Sequence, residues 1–416
     1  MVDIPTDLMA SRIINAAGTL TRLSGARVSK AVAAAMSQAA QSSFDMWALQ
    51  AAASARIAQA TGAEAGLVTT GASAGLTLAA AAAIAGFDVA RMQALPFTGD
   101  IPNEILVPRT HRNGYDRAIT VAGAKLIDVG TADRQTDAGL RGLEAWEIES
   151  AIGPKTVALL GNASGATEKD LPLLAEIAVR HCLPLIVDAA AQLPPVSNLR
   201  APLAAGATLV VYSGGKAIGG PQASGILAGR RDLIASAALQ MLDMDVRPTA
   251  FVAPAAFFGN SQPSVLPRHG VGRGFKASKE AIVGLMVALA EFVERDHSAW
   301  HAATHARLLR LQERLANLSG ISTKIIAGRR EGALPRLAID VQPAKRAEAV
   351  CRRLTERSPS VRVGEGQIEK GTLILDLLAT DESDDEQLGC ALRDVFNALP
   401  VVDTPPVRGI AQLQQL

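Results

Sequence analysis

Between Glu64 and Leu227 the chain repeats one pattern: a short apolar run, a turn, then a longer stretch of mixed polar and apolar residues. The apolar runs at 65–69, 105–107, 125–129, 156–160, 185–187, 209–212 and 225–227 predict strands. The stretches at 73–84, 115–122, 140–151 and 169–181 predict helices between them. Strands joined through helices pair in parallel and are covered on both faces. The expected fold class is therefore α/β, a large domain with a mostly parallel sheet that binds ligands at the carboxyl ends of its strands.

The flanks differ from this core. The segment 13–27 is rich in turn residues and reads as a loop that carries side chains, Arg22 among them, to a site. Ser29 can cap a helix running through Ala40, and Asp45 a second one to about Ala60, with a stop at Thr61-Gly62. Residues 243–275 are rich in proline, glycine and arginine without periodicity, which predicts a long ordered loop. A helix from about 278 to 293, continuing with or without a kink through Leu315, leads into a smaller α+β domain. That domain has strands expected at 323–326, 337–341, 361–363 and 372–377, and helices at 344–355 and 384–398. The expected division is 1–45 as an N-terminal segment serving site and small domain, 46–290 as the large domain, and 291–416 as the small one.

Charge and cysteine content narrow the function classes. The 41 lysines and arginines nearly balance the 40 aspartates and glutamates, for a net charge of +1, so no global field recruits nucleic acid or an anionic membrane. Cys182, Cys351 and Cys390 are far apart, with neither zinc-site spacing nor disulfide density, which suits a reducing cytoplasm. No signal peptide is expected from the N-terminal residues, and the apolar stretch 75–87 is too short to span a bilayer.

Three pieces carry chemistry. Thr69 to Gly75, TTGASAG, follows a strand and opens a helix, so backbone N–H groups and hydroxyls converge as in a phosphate cup; a tightly packed capped helix would use the same letters. Asp188 ends an apolar strand with no neighbouring cation in sequence, and a carboxylate there needs one. Lys216 follows the strand 209–212 and the break Ser213-Gly214-Gly215, where desolvation would lower its pKa and free the amine for Schiff-base chemistry. Cup, then aspartate, then lysine is the order found in fold-type I enzymes of pyridoxal 5′-phosphate (PLP), in which a protonated pyridine supplies the missing cation.

The segments INAAGTLTRLSGARVS, TGAEAGLVTTGASAGL, VDAAAQLPP, YSGGKAIGGPQASGILAG and GVGRGFKASKEAIVGL resemble the selenocysteine synthase-like (L-seryl-tRNA selenium transferase-like) PLP enzymes. The small-molecule branch of that group is similar to D-glucosaminate-6-phosphate ammonia-lyase. The resemblance implies that Lys216 forms the internal aldimine, that Asp188 pairs with the pyridinium, and that Gly71, Ala72 and Ser73 hold the phosphate. Ser213 joins this cofactor-binding set. His111 is the candidate to stack on the ring, with Tyr115 as the alternative, and Asn162 the candidate partner of the phenolic oxygen. Arg268, Arg273, Lys276 and Lys279 form the densest basic cluster; such a loop often reaches a neighbouring subunit, so a homodimer or multiple of dimers is expected. Arg22, Arg273, Lys276 and Arg336 are the candidate substrate-binding residues.

The implied activity is that of a PLP-dependent lyase on a small 2-amino-3-hydroxy acid, releasing ammonia and a 2-keto acid. Selenium transfer on seryl-tRNA is the alternative within the group, though the near-neutral charge and the early INAAGT segment argue against a tRNA partner. Racemisation, aldol cleavage and transamination would need the same Lys216 and Asp188. His297, His301 and His305 share a helix face, but no further ligand completes a shell beside them and no metal is expected.

Overall fold

The computed structural model describes residues 4–133, 137–163 and 165–399. The chain divides into two compact units, Ala26–Arg295 and the pair of segments Met1–Gly25 and Asp296–Leu416. The divisions thus fall at 25/26 and 295/296 instead of 45/46 and 290/291, and residues 400–416 of the expected small domain lie outside the described residues.

In the smaller unit, β1 (Ile13–Ala16) pairs in parallel with a strand far along the chain, so the start of the segment read as a loop is a strand with Ile14 and Ala16 buried. Buried Asn15 turns the chain after it: its amide donates to the carbonyls of Gly18 and Leu23, and its Oδ1 accepts from the Ala17 N–H.

The larger unit holds β2 (Ala65–Thr69), β3 (Glu104–Pro108), β4 (Lys125–Val129), β5 (Thr156–Asn162), β6 (Leu185–Asp188), β7 (Leu209–Ser213) and β8 (Gly225–Gly229) in the order β2-β8-β7-β6-β5-β3-β4. The pairs from β7 through β6, β5 and β3 to β4 are parallel, and β8 runs antiparallel between β2 and β7. The mostly parallel sheet is as expected. Helix Ala72–Ala85 is buried nearly all round, which accounts for its continuous apolar, alanine-rich sequence. Among the described residues no helix is long and apolar enough to cross a membrane.

The N-caps behave as read: Ser29 Oγ accepts from the Val32 N–H, and Asp45 accepts from Trp47 and Ala48, opening helices Lys30–Ala40 and Met46–Thr61. Other elements differ. The helix expected at 140–151 is only Ala145–Glu149, because a turn closed from Gly142 to Gly139 precedes it and Glu144 with Glu147 forms its capping box. Helix Arg231–Met241 was not anticipated; it is buried over most of its length and shows little periodicity. The long helix is two, Lys279–Glu294 and His297–Leu315, because Asp296 caps the second through the Ala299 N–H.

The smaller unit is completed by β9 (Ile321–Ile326), β10 (Arg336–Val341), β11 (Ser360–Gln367) and β12 (Thr372–Leu375), in the order β1-β11-β12-β10-β9. β12 stops at Leu375, short of the expected 377, because the Asp376 carboxylate caps a helical turn through the Leu378 N–H. Helices Ala344–Thr355 and Asp385–Ala398 contribute Val350, Leu354, Leu388, Leu392 and Phe396 to a second core.

Candidate active site

Every cofactor-binding residue inferred from the sequence lies at one rim of the seven-stranded sheet, where β2, β3, β5, β6 and β7 end and β8 begins. Register fixes their neighbours. Asn162 on β5 pairs with Asp188 on β6, which pairs with Val211 on β7; two residues further on, Ser213 pairs with Gly225 on β8, which pairs with Thr69 on β2. A row of strand ends thus carries the asparagine, the aspartate, the serine and the entrance to the cup in one line.

The cup is built by close approach. Gly71, at φ 123°, precedes helix Ala72–Ala85, and a Cβ added to it would meet nothing within 4 Å. A Cβ on Gly225 would instead stand 2.4 Å from the Gly71 carbonyl carbon and 2.7 Å from the Ala72 nitrogen. The bare backbone of β8 therefore forms the back of the cup, whose front stays open. Thr69 Oγ1 donates to the Gly71 carbonyl at 2.8 Å.

The basic loop packs against this cup from within the same chain. The Phe275 carbonyl accepts from both the backbone N–H and Oγ1 of Thr70, and Lys276 bridges Thr69. Arg273 is held by Asp243 at 2.7 Å, while Lys279 donates to the carbonyls of Ala40 and Ser42 at the end of helix Lys30–Ala40. Lys276 and Arg268 are exposed. Two of the four basic residues are thus committed to intramolecular partners. Arg22 and Arg336 belong to the smaller unit, Arg22 in a helical turn and Arg336 at the first position of β10.

Lys216 sits in the turn that leaves β7. A Cβ at Gly215 would lie 2.5 Å from the Gln222 carbonyl oxygen, so the glycine before the lysine is required by packing. Burial lowers the Lys216 pKa, opposed by the attraction of Asp188. Asp188 is shifted the other way: burial raises its pKa, a hydrogen bond from the Ala190 N–H and the charge of Lys216 lower it, and the nearby Asp116 carboxylate raises it again. Burial dominates at both groups, so each is strained toward its neutral form.

His111 follows β3 in a single helical turn, and its side chain is fully buried. Its Nδ1 accepts the Asn162 backbone N–H at 3.0 Å, and its Nε2 lies 3.1 Å from Asp170 Oδ2. His111, Asn162 and Asp188 line one small cavity together with Tyr115 and Asp116. Tyr115 is exposed, and Asp116 is held by Arg112, which also meets Asp128. Sequence reasoning missed Asp170 and Asp116. Asp116 stands beside Tyr115, where a helix-opening acid explains it without a site.

The L-seryl-tRNA selenium transferase family model matches residues 107–248, the stretch from β3 past helix Arg231–Met241. Over 404 residues the chain is 28% identical to the D-glucosaminate-6-phosphate ammonia lyase of Salmonella typhimurium (strain 14028s / SGSC 2262), covering 94% of this chain and 98% of that one. A solved structure of D-glucosaminate-6-phosphate ammonia-lyase superposes with a TM-score of 0.78 at 27% identity, covering 95% and 98% of the two chains. The chain resembles the selenocysteine synthase-like PLP enzymes. Another relative, the 5′-C-glycyluridine monooxygenase-decarboxylase of Streptomyces sp, is 29% identical over 397 residues, covering 92% of this chain and 90% of that one. The resemblance read from the sequence motifs therefore extends over nearly the whole chain, and the fold is that of the fold-type I PLP transferases.

PLP fits the residues present. The open front of Gly71 leaves room for a phosphate at the helix N-terminus, and the attraction of Lys216 does not offset the burial of the Asp188 carboxylate, a deficit that a pyridinium would make good. Among the described residues, no group of three or more His, Cys, Asp or Glu could hold a metal ion.

Proposed function

We propose that this chain is a PLP-dependent lyase that removes a β-hydroxyl and ammonia from a small 2-amino-3-hydroxy acid, leaving a 2-keto acid. The observation that carries the reading is the half-buried Lys216 amine, electrostatically coupled to Asp188 and on the same rim as the Gly71 cup. In this reading Gly71, Ala72 and Ser73 hold the cofactor phosphate, Asp188 its ring nitrogen, Asn162 its phenolic oxygen, His111 packs on its ring, and Ser213 belongs to the same cofactor-binding set.

PLP, when bound, supplies an electron sink for the charge left at Cα. Lys216, whose pKa desolvation lowers, takes the Cα proton as general base. The Cβ–O bond then breaks, and Lys216 returns the proton to the departing hydroxyl as water. The enamine so formed takes up a water and yields ammonia and the 2-keto acid, so no oxidant is consumed. Asp188 would hold the ring nitrogen, and a cation against it would favour its ionised form.

The ammonia lyase named among the relatives supports a polyhydroxylated, phosphorylated 2-amino acid as the substrate class. The residues proposed to meet its carboxylate and phosphate are Arg22, Arg273, Lys276 and Arg336. A homodimer or multiple of dimers and a cytoplasmic location complete the reading; the three free cysteines support a reducing compartment.

The test is a panel of D- and L-2-amino-3-hydroxy acids, sugar acids and their phosphates included, read by ammonia and 2-keto acid release. Equal amounts of both products, without oxygen uptake, are expected. Carbon dioxide release with oxygen uptake would favour the chemistry named for the Streptomyces relative, and salt-sensitive binding of seryl-tRNA would favour selenium transfer.

A further inference from the structure

The His111 imidazole is held at both nitrogens, and the two bonds require different things of it. The Asn162 backbone N–H points at Nδ1 from 3.0 Å, so that nitrogen must offer a lone pair and cannot carry a proton. Nε2 then carries the hydrogen and donates it to Asp170 Oδ2 at 3.1 Å. The ring is neutral, in one tautomer, with its rotation locked.

Asp170 makes an unusual commitment in doing this. It occupies the N-cap position of helix Leu171–Arg180, where aspartate ordinarily accepts from the backbone N–H groups of the first turn, yet its side chain caps nothing. The residue is 8% exposed and its carboxylate is turned to His111 instead. Asn162, whose N–H completes the arrangement, is the register partner of Asp188.

We propose that Asp170 is the positioning residue of the site: through His111 it fixes the imidazole plane and the end of β5, and so sets the geometry in which Asn162 and the His111 ring meet the cofactor beside Asp188. This rests on the PLP reading given above. Asp170 does not line the cavity shared by His111, Asn162 and Asp188, so it acts through His111. Asparagine at 170 can still present an oxygen to Nε2–H, whereas leucine cannot.

The test compares PLP binding, by absorbance and fluorescence titration of the full chain, in Asp170→Asn, Asp170→Leu, His111→Phe and the His111→Phe/Asp170→Leu double variant. Asp170→Leu is expected to weaken PLP about tenfold and shift its absorption band, while Asp170→Asn stays within about threefold of the unsubstituted protein. In the His111→Phe background, Asp170→Leu should add nothing, because the coupling runs through the imidazole. A wild-type band and affinity in Asp170→Leu, or an undiminished effect in the His111→Phe background, overturns the proposal.

Nitrogen-15 spectra of histidine-labelled, PLP-free protein give a second reading should the leucine variant fail to fold. At neutral pH His111 should be the neutral Nε2–H tautomer, and a protonated ring or an Nδ1–H tautomer there overturns the proposal. If the unsubstituted protein binds no PLP, the cofactor reading fails and this inference with it. A normal wild-type band with an indifferent Asp170→Leu sinks this inference alone.

Discussion

A Cβ on Gly225 would stand 2.4 Å from the carbonyl carbon of Gly71, so the strand that backs the cup can carry no side chain at that point. The register puts Thr69 on one side of Gly225 and Ser213 on the other. The spacing of the cup is therefore set by a residue outside the cup motif itself.

Gly225→Ala should widen this contact by shifting β8 or the loop at Gly71. Overpacking of this kind costs roughly 1–3 kcal/mol, and here it also moves the N–H groups that receive the phosphate. The variant is expected to melt a few degrees lower and to bind PLP at least about tenfold more weakly, as read by thermal melts and fluorescence titration. Wild-type PLP affinity in this variant would contradict the assignment of the cup.

Asp188 predicts a pH signature in PLP-free protein. Its pKa is raised on folding, chiefly by burial, so the folded state holds a proton that the unfolded state has already released. The stability linked to it is complete below the ordinary aspartate range and is lost as pH rises through the raised value. Asp188→Asn removes that loss, so PLP-free Asp188→Asn should melt higher than the unsubstituted protein above that window and no higher below it. The same variant should lose most PLP affinity, because the pyridinium has lost its counter-charge. Parallel pH–melting curves for the two proteins would contradict the account.

The site pieces legible in the sequence were those whose signal is local. Asp188 ends an apolar run and Lys216 follows one across Ser213-Gly214-Gly215, so both strand ends are marked without knowledge of the partner strands. Asp170 was not legible because its partner is 59 residues away and its place before a helix already explained it as a cap. β1 was hidden for a similar reason: Ile13–Ala16 pairs with residues starting at Ser360, and a lone four-residue strand among turn residues carries no period. Helix Arg231–Met241 escaped notice because burial on most sides removes the amphipathic pattern that marks a surface helix.

Arg336 opens β10 with its guanidinium half satisfied: Nη2 donates to the Ala327 carbonyl at 3.3 Å, and the buried Nε has no partner. Burial, with Arg329 nearby, disfavours its charge, and the attraction of Asp376 offsets this only in part. An anionic group would relieve both defects. Arg336→Met is expected to raise KM for the amino acid about tenfold with a smaller change in kcat, and to leave the ligand-free protein at least as stable. An unchanged KM would remove Arg336 from the substrate-binding set.

Borohydride reduction of the PLP-loaded protein, followed by mass mapping of its peptides, tests the central claim most directly. The account predicts a reduced pyridoxyl group on the peptide containing Lys216, and none there in Lys216→Ala, which should also lose turnover. A label on a different lysine, or turnover retained by Lys216→Ala, would contradict it.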